Sequence, residues 1–312
     1  MNNHTTFLSF CFLFIGSYAS VLLANAPLTI KEKLEIKGPY AVLPSPKTGS
    51  ETYTDADLRK RLAETKSEVI RPRLTPGVKS YVRTYTQRRR ESTEVMIGRS
   101  AIYFPIFEKH LREAGLPTDL KYLPIVESAL KPEARSPVGA GGLWQFMPST
   151  GKMYGLKINS YVDERSDPNK ASKAAADFLG DLYRQYGDWA LVLAAYNAGP
   201  GRVNKAIRKG KSKNFWKIQK YLPKETQNYV PGFIAATYLM QNYEAHGMTA
   251  VMPEYDLQVT ETTQIYSDMT FEKIAEVSRT PYYIVKALNP SYKKEIIKAN
   301  AEEGAYLILP YT

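Results

Sequence analysis

From about Val78 onward, apolar residues recur at helical spacing: Tyr81, Tyr85, Met96, Ile97, Ala101, Ile102, Phe104, Ile106, Phe107 and Leu111. The period predicts helix up to Gly115, which serves as a C-cap. Pro117, with Thr118 and Asp119 beside it, starts the helix that carries Leu-Pro-Ile-Val-Glu-Ser-Ala-Leu (123–130), and Pro124 should kink it. The stretch from Ser136 to Gly151 breaks the pattern. It is too rich in glycine and proline for one helix and too apolar for an ordinary solvated loop, and such loops usually pack close to a ligand. Asp167-Pro168 then opens a helix whose stripe is Ala171, Ala174, Ala175, Phe178, Leu179, Leu182, Tyr183 and Tyr186, closed by Gly187. Asp188 caps Trp189–Ala198, which is apolar on nearly every side and so reads as a buried central helix. A further helix runs from about Pro223 to Tyr243, with Pro231 as an expected kink. The central region is therefore all α, with five or more helices between about 78 and 247.

The flanks differ in character. Residues 27–77 are rich in Pro, Lys, Thr and Glu with weak periodicity, and read as an extended or partly disordered lead segment with a short helix at 55–65. Residues 248–262 contain Met252-Pro253 and a Thr-rich run and read as a linker. Residues 263–312 change period: Thr263–Tyr266 is strand-like, Phe271–Ser278 and Tyr282–Leu288 are short helices, and Ala305–Leu309 is a closing strand. That order predicts a small βααβ module.

The first 26 residues read as an export signal. Phe7 to Leu23 is mostly apolar, and Ala24-Asn25-Ala26 is a small-x-small cleavage site. The segment before the apolar run carries His4 but no Lys or Arg, and retention as a membrane anchor is the alternative. Cys11, the one cysteine, lies inside the apolar run and lacks the small residue expected before a lipid-modified cysteine. A chain cleaved after Ala26 has neither disulfide nor thiolate chemistry. His110 and His246 match no metal-ligand spacing and read as helix-surface residues, so no metal and no cofactor is expected. The net charge of +11 suits an anionic partner such as a cell wall or membrane surface. Arg88-Arg89-Arg90 reads as a solvated helix face, and no nucleic-acid motif accompanies it.

The candidate chemistry lies in polar groups at apolar helix ends. Glu127 follows an apolar helical segment, where low dielectric would keep a carboxyl protonated, as a general acid requires. Gln145 sits between Phe146 and Trp144. Tyr196 and Asn197 end the apolar helix, and Glu225 and Tyr229 share one helical face. Carboxyl, carboxamide, phenol and indole groups together suit a carbohydrate groove. Each has an ordinary structural reading as well: a solvated helix-end acid for Glu127, satisfied core tyrosines for Tyr196 and Tyr229, turn caps for Gln145 and Asn197. With 23 tyrosines in the chain, no single one is specific, and the case rests on co-occurrence in order.

Leu-Pro-Ile-Val-Glu-Ser-Ala (123–129), Gly-Leu-Trp-Gln-Phe-Met-Pro-Ser-Thr-Gly (142–151), Ala-Ala-Tyr-Asn-Ala-Gly-Pro-Gly (194–201) and Glu-Thr-Gln-Asn-Tyr-Val-Pro (225–231) resemble the catalytic domain of lytic murein transglycosylases. The resemblance is strongest to the membrane-bound D-type subfamily and covers Leu116 to Val230. It implies a lysozyme-like helical fold acting on peptidoglycan glycan strands. It further implies that Glu127 is the acid/base, that Ser128 contacts substrate or steadies the glutamate, that Gln145, Tyr196 and Asn197 hold the glycan, and that Tyr229 lies near the acid. Gln227 departs from the subfamily, which commonly has Arg there. Residues 263–312 resemble a LysM domain, a binder of N-acetylglucosamine-containing glycans, through Asp268–Ala275, Leu288-Asn289-Pro290 and Tyr306–Pro310.

The reaction so implied cleaves the bond between N-acetylmuramic acid and N-acetylglucosamine and leaves 1,6-anhydro ends, with one glutamate acting as acid and then base. A hydrolytic muramidase of the same fold is the first alternative. It needs a second carboxylate, for which Asp163, Asp167, Asp188 and Glu225 are the candidates. A non-catalytic wall-binding protein is the second.

Overall fold

The computed structural model describes residues 53–311, so the expected export signal (1–26) and residues 27–52 of the expected lead segment lie outside the described residues. The architecture is mainly α with a small strand-containing module at the C-terminal end, the fold class that the sequence predicts. Thirteen α-helices occur among the described residues.

The short helix expected at 55–65 is present, but the chain beyond it, to residue 77, is not an extended lead. Thr54 and Asp57 form a capping box that starts α1 (Asp55–Glu64), which buries Leu58 and Leu62. The following stretch buries Val69 and is pinned by paired amide contacts between Lys66 and Gln241 (2.8 and 3.1 Å). Its weak periodicity hid this, because only a few apolar residues reach the core and backbone bonds do the rest. Pro76 then opens α2 (Pro76–Arg83), which continues through a π-helical turn at Thr84–Arg88 into α3 (Arg90–Glu113).

A 3-10 turn at Thr118–Tyr122 precedes α4 (Leu123–Ser128). Pro124 therefore sits in the first turn of a short helix and does not kink a long one, since its missing N–H has no partner to lose there. After α5 (Pro148–Met153), Asp167 caps α6 (Pro168–Tyr186) and Asp188 caps α7 (Trp189–Ala198). Leu191 to Ala195 of α7 are wholly buried, as a helix apolar on every side must be. The bundle is completed by α8 (Pro200–Gly210), α9 (Phe215–Ile218) and α10 (Lys224–Asn242). Close approach of α2 to α10 depends on two glycines. Gly77 lies against the ring of Pro231, and Gly232 lies under Tyr81.

His246, expected on a helix surface, is buried, with Nε2 2.7 Å from the Tyr238 hydroxyl and the ring edge-on to Tyr53. Burial, with Arg61 and Arg90 nearby, pulls its pKa down to about 4.

The stretch 248–262 is no free tether. The Val251 N–H donates to Glu94 O (3.0 Å), and the backbone lies so close to α3 that a Cβ on Gly98 would meet Val251 O at 1.7 Å. After α11 (Tyr255–Gln258), β1 (Thr260–Ile265) pairs antiparallel with β4 (Ala305–Pro310), with Thr263 opposite Leu307. Between them come β2 (Met269–Thr270), α12 (Phe271–Ser278), α13 (Tyr282–Leu288) and β3 (Ile296–Ile297), and β2 pairs with β3. The module closes over its own small core of Phe271, Ile274, Val285, Ile297 and Leu307. No helix among the described residues is long and apolar enough to cross a membrane.

Candidate functional site

Glu127 is the penultimate residue of α4, which has only six residues. The helix stops because Ala129 and Leu130 both adopt left-handed backbone, at φ 51° and 59°. Two such non-glycine residues in succession are strained, and strain of this kind concentrates at functional sites. The sharp exit leaves Glu127 on the wall of a groove of about 590 Å³. Tyr81 of α2, Gln145 and Phe146 of the glycine-rich loop, Phe178 of α6, Tyr196 and Asn197 at the end of α7, and Glu225 and Tyr229 of α10 share that wall. Five segments far apart in sequence thus converge on one carboxyl.

Tyr229 is buried and donates its hydroxyl to Glu127 Oε1. Burial is the strongest influence on the Glu127 carboxyl. The Tyr229 hydrogen bond opposes it, Glu225 adds like-charge repulsion, and the pKa is pushed up to about 7. The residue keeps partial solvent contact, so a proton held there is accessible from the groove. Burial, and then the Glu127 charge, hold the phenols of Tyr196 and Tyr229 well above the ordinary tyrosine range, so both stay neutral donors.

The remaining candidates are fixed by the backbone around them. The Tyr196 hydroxyl donates to Trp144 O (2.7 Å), which ties the end of α7 to the glycine-rich loop. Asn197 is held from both sides of its amide: Nδ2 donates to Glu225 Oε1 (3.1 Å), and Oδ1 accepts from the buried Thr226 hydroxyl (2.7 Å). Gln145 has left-handed backbone (φ 49°), and its Nε2 donates to Gly142 O (2.8 Å) and Ala134 O (3.2 Å). Among the described residues nothing donates to its amide oxygen, which is left to accept from a ligand. Six side chains singled out in the sequence, counting Glu225, line the groove together: Glu127, Gln145, Tyr196, Asn197, Glu225 and Tyr229.

Two residues lie elsewhere. Ser128 is buried, and its hydroxyl sits 2.9 Å from Leu143 O and 3.1 Å from Pro124 O, so it joins α4 to the glycine-rich loop from behind. Trp144 is a core residue and not a sugar platform. It is 1% exposed, meets Phe107 edge-on and donates Nε1–H to Ser172 (3.0 Å). Its neighbours are apolar because the loop turns inward at that point, which alternation along a loop does not reveal.

Of the four further carboxylates, Asp163 is buried against Arg165 and Arg135, and Asp167 and Asp188 are helix caps. Only Glu225 joins Glu127 in lining the groove. The groove also takes in Tyr81, Phe178 and Arg202. In the sequence the first two read as helix-stripe residues, and no pattern marks the third. Tyr81 and Phe178 sit at the edges of their stripes, where a core position and a groove position have the same period.

Residues 104–219 match the Transglycosylase SLT domain family, and residues 259–312 match the family described as Lytic transglycosylase MltD, LysM-like domain. The chain is 34% identical over 206 residues to membrane-bound lytic murein transglycosylase D of Escherichia coli (strain K12), spanning 64% of this chain and 44% of that protein. It is 42% identical over 82 residues to the soluble lytic murein transglycosylase of the same organism, 25% of this chain and 13% of that one. The chain thus spans less than half the length of these relatives. Among solved structures, the 70 kDa soluble lytic transglycosylase of Escherichia coli aligns with 64% of this chain and 35% of its own at 23% identity, with a TM-score of 0.41. Lytic transglycosylase Slt of Pseudomonas aeruginosa aligns with 48% of this chain and 25% of its own at 25% identity, with a TM-score of 0.39.

Proposed function

From the premise that this chain carries a transglycosylase SLT domain followed by an MltD LysM-like domain, we propose that it is a lytic transglycosylase acting on peptidoglycan glycan strands in the cell envelope. One observation carries the reading: a carboxyl in a polar and aromatic groove, held by the Tyr229 hydroxyl, with its pKa pushed up to about 7. Such a group is protonated often enough at neutral pH to give a proton and is basic enough afterwards to take one back.

Glu127 gives its proton to the glycosidic oxygen between N-acetylmuramic acid and N-acetylglucosamine as the C1–O bond breaks. Positive charge at C1 is shared with the substrate's 2-acetamido group. The Glu127 carboxylate then takes the proton of the C6 hydroxyl, whose oxygen closes on C1. The product carries a 1,6-anhydro ring, and no water is consumed. Tyr229 orients the carboxyl throughout. Gln145 and Asn197 offer amide groups to hydroxyl and acetamido substituents, and Tyr196 and Phe178 offer ring surface. The LysM-like module is assigned the binding of N-acetylglucosamine-containing strands.

Mass spectrometry of sacculi digested by the wild-type protein and by Glu127→Gln tests this reading. Anhydromuramoyl ends from the wild type and none from the variant support it. Reducing ends would move the assignment to hydrolysis, for which Glu225 in the groove is the available second carboxylate. Its exposure and its hydrogen bond from Asn197 favour a role in holding the groove instead.

A further inference from the structure

A single guanidinium bridges the two arms of the glycine-rich loop from behind. Arg165 Nη1 donates to Gly139 O (2.7 Å) and to Phe146 O (2.9 Å), one on each arm of the loop. The same guanidinium grips the Asp163 carboxylate through Nε and Nη2, at 2.9 and 2.8 Å. Arg135 adds a third contact to that carboxylate at 3.0 Å. Asp163 and Arg165 are both buried, and burial raises the Asp163 pKa less than the arginines lower it, so the pair is ionised. The fit leaves no slack: a Cβ on Gly142 would stand 1.6 Å from Arg165 O. The loop so clamped borders the groove with Val138, Gln145, Phe146 and Met147.

The anchor of this clamp is itself held by the C-terminal module. The Asp163 N–H donates to Ser291 O (2.8 Å), and the Lys293 N–H donates to Tyr161 O (2.7 Å). Val162 faces Tyr292 between them in an antiparallel bridge. Lys293 Nζ reaches Asn159 O (3.1 Å), and Lys294 Nζ stands 4.5 Å from the Tyr161 ring centroid. Residues 159–163 would otherwise be a surface loop whose bonds open readily. Paired with 291–293, they become a fixed base for Asp163.

We propose that Arg165 is a positioning residue of the groove, and that it makes the shape of the glycine-rich loop depend on the docking of the C-terminal module at 161–163. The module then acts on cleavage through the loop, in addition to any binding of wall. The link is a continuous set of hydrogen bonds, Ser291 to Asp163 to Arg165 to Gly139 and Phe146, and so can be cut at separate points. Its catalytic consequence rests on the transglycosylase reading; its structural part does not.

The test uses the full chain and three variants. Tyr161→Ala with Lys293→Pro removes the ring under Lys294 and the N–H given to Tyr161, both at the surface between the two parts, so each core is untouched. Arg165→Lys keeps a charge for Asp163 but cannot reach two carbonyls and a carboxylate at once. Arg165→Met is the full deletion and risks unfolding, since it strands a buried carboxylate. Hydrogen–deuterium exchange by mass spectrometry is read at 139–147 and at 161–163, beside kcat and KM on isolated glycan strands and sedimentation with sacculi. The undocked variant should exchange at least about tenfold faster at 139–147 as well as at 161–163, with kcat lowered about 10- to 100-fold. Arg165→Lys should do the same at 139–147 while sedimenting with sacculi as the wild type does. The coupling is overturned if undocking speeds exchange at 161–163 and leaves 139–147 at wild-type rates. If the wild type shows no glycan cleavage, the transglycosylase reading fails, and the exchange data still decide the coupling.

Discussion

Tyr229 donates its hydroxyl to Glu127 Oε1 across 102 residues of sequence. One partner comes from a six-residue helix ended by two left-handed residues, the other from the second turn of a long, largely buried helix. The bond directs the carboxyl and partly offsets the rise in pKa that burial causes, so its removal should have two separable effects. Tyr229→Phe takes away an interaction that lowers the Glu127 pKa. The alkaline limb of the pH–rate profile should move to higher pH, while kcat falls about 10- to 100-fold as the carboxyl loses its orientation. A limb that stays in place would mean that Tyr229 does not touch the titrating form.

Glu225→Gln should shift the same limb the other way. The Glu225 charge raises the Glu127 pKa, and its neutral amide keeps a partner for Asn197. Anhydro ends should still form. Complete loss of turnover in this variant would make Glu225 a required second carboxylate and favour hydrolysis.

Glu127→Gln should lower turnover of sacculi by roughly 10²–10⁴-fold and leave the circular dichroism spectrum unchanged. The same variant should be more stable than the wild type above neutral pH. A carboxyl with a folded pKa of about 7 and an ordinary value of 4.5 binds more protons folded than unfolded between those values. Folding stability therefore falls as pH rises through that window and stays lower beyond it. About 3 kcal/mol separates the two limits. Denaturant titrations at pH 4 and pH 8 should show a gap between wild type and variant only at the higher pH.

His246 has the opposite sign over much of the same range. Its folded pKa of about 4 lies below the ordinary 6.5, so its contribution is present above pH 6.5 and is lost as pH falls towards 4. His246→Asn should abolish that acid-side loss, at the price of the Tyr238 hydrogen bond. Melting temperatures of this variant between pH 4 and 7 should then fall as pH rises, with the Glu127 slope exposed.

Gly142→Ala should be severe although the change is one methyl group. The backbone there is left-handed (φ 82°), and the new carbon would stand 1.6 Å from Arg165 O. Left-handed strain of about 1–2 kcal/mol adds to overpacking of about 1–3 kcal/mol. Thermal unfolding within a degree of wild type would show that the loop can move away from Arg165 freely.

Much of the fold was legible because it depends on local rules. Asp167 and Asp188 announce helix starts by capping chemistry, and Trp189–Ala198 announces burial by having no polar face. Phe271–Ser278 and Tyr282–Leu288 occur with the bounds their spacing predicts. Where the reading failed, the deciding contact was remote. The stretch 65–77 is ordered by Gln241 and by the bundle core, 248–262 by Glu94 and Gly98, and His246 by Tyr238.

The candidate site divides along the same line. The sequence by itself determined which polar side chains stand at the ends of apolar helices, because period and capping are properties of neighbouring residues. Only the tertiary structure decided that Glu127, Asn197 and Tyr229 share a groove, that Ser128 and Trp144 turn away from it, and that Arg165 braces the loop from behind. Each of those outcomes depends on segments that meet only when the core closes, and the field that holds a proton on Glu127 does not exist until they meet.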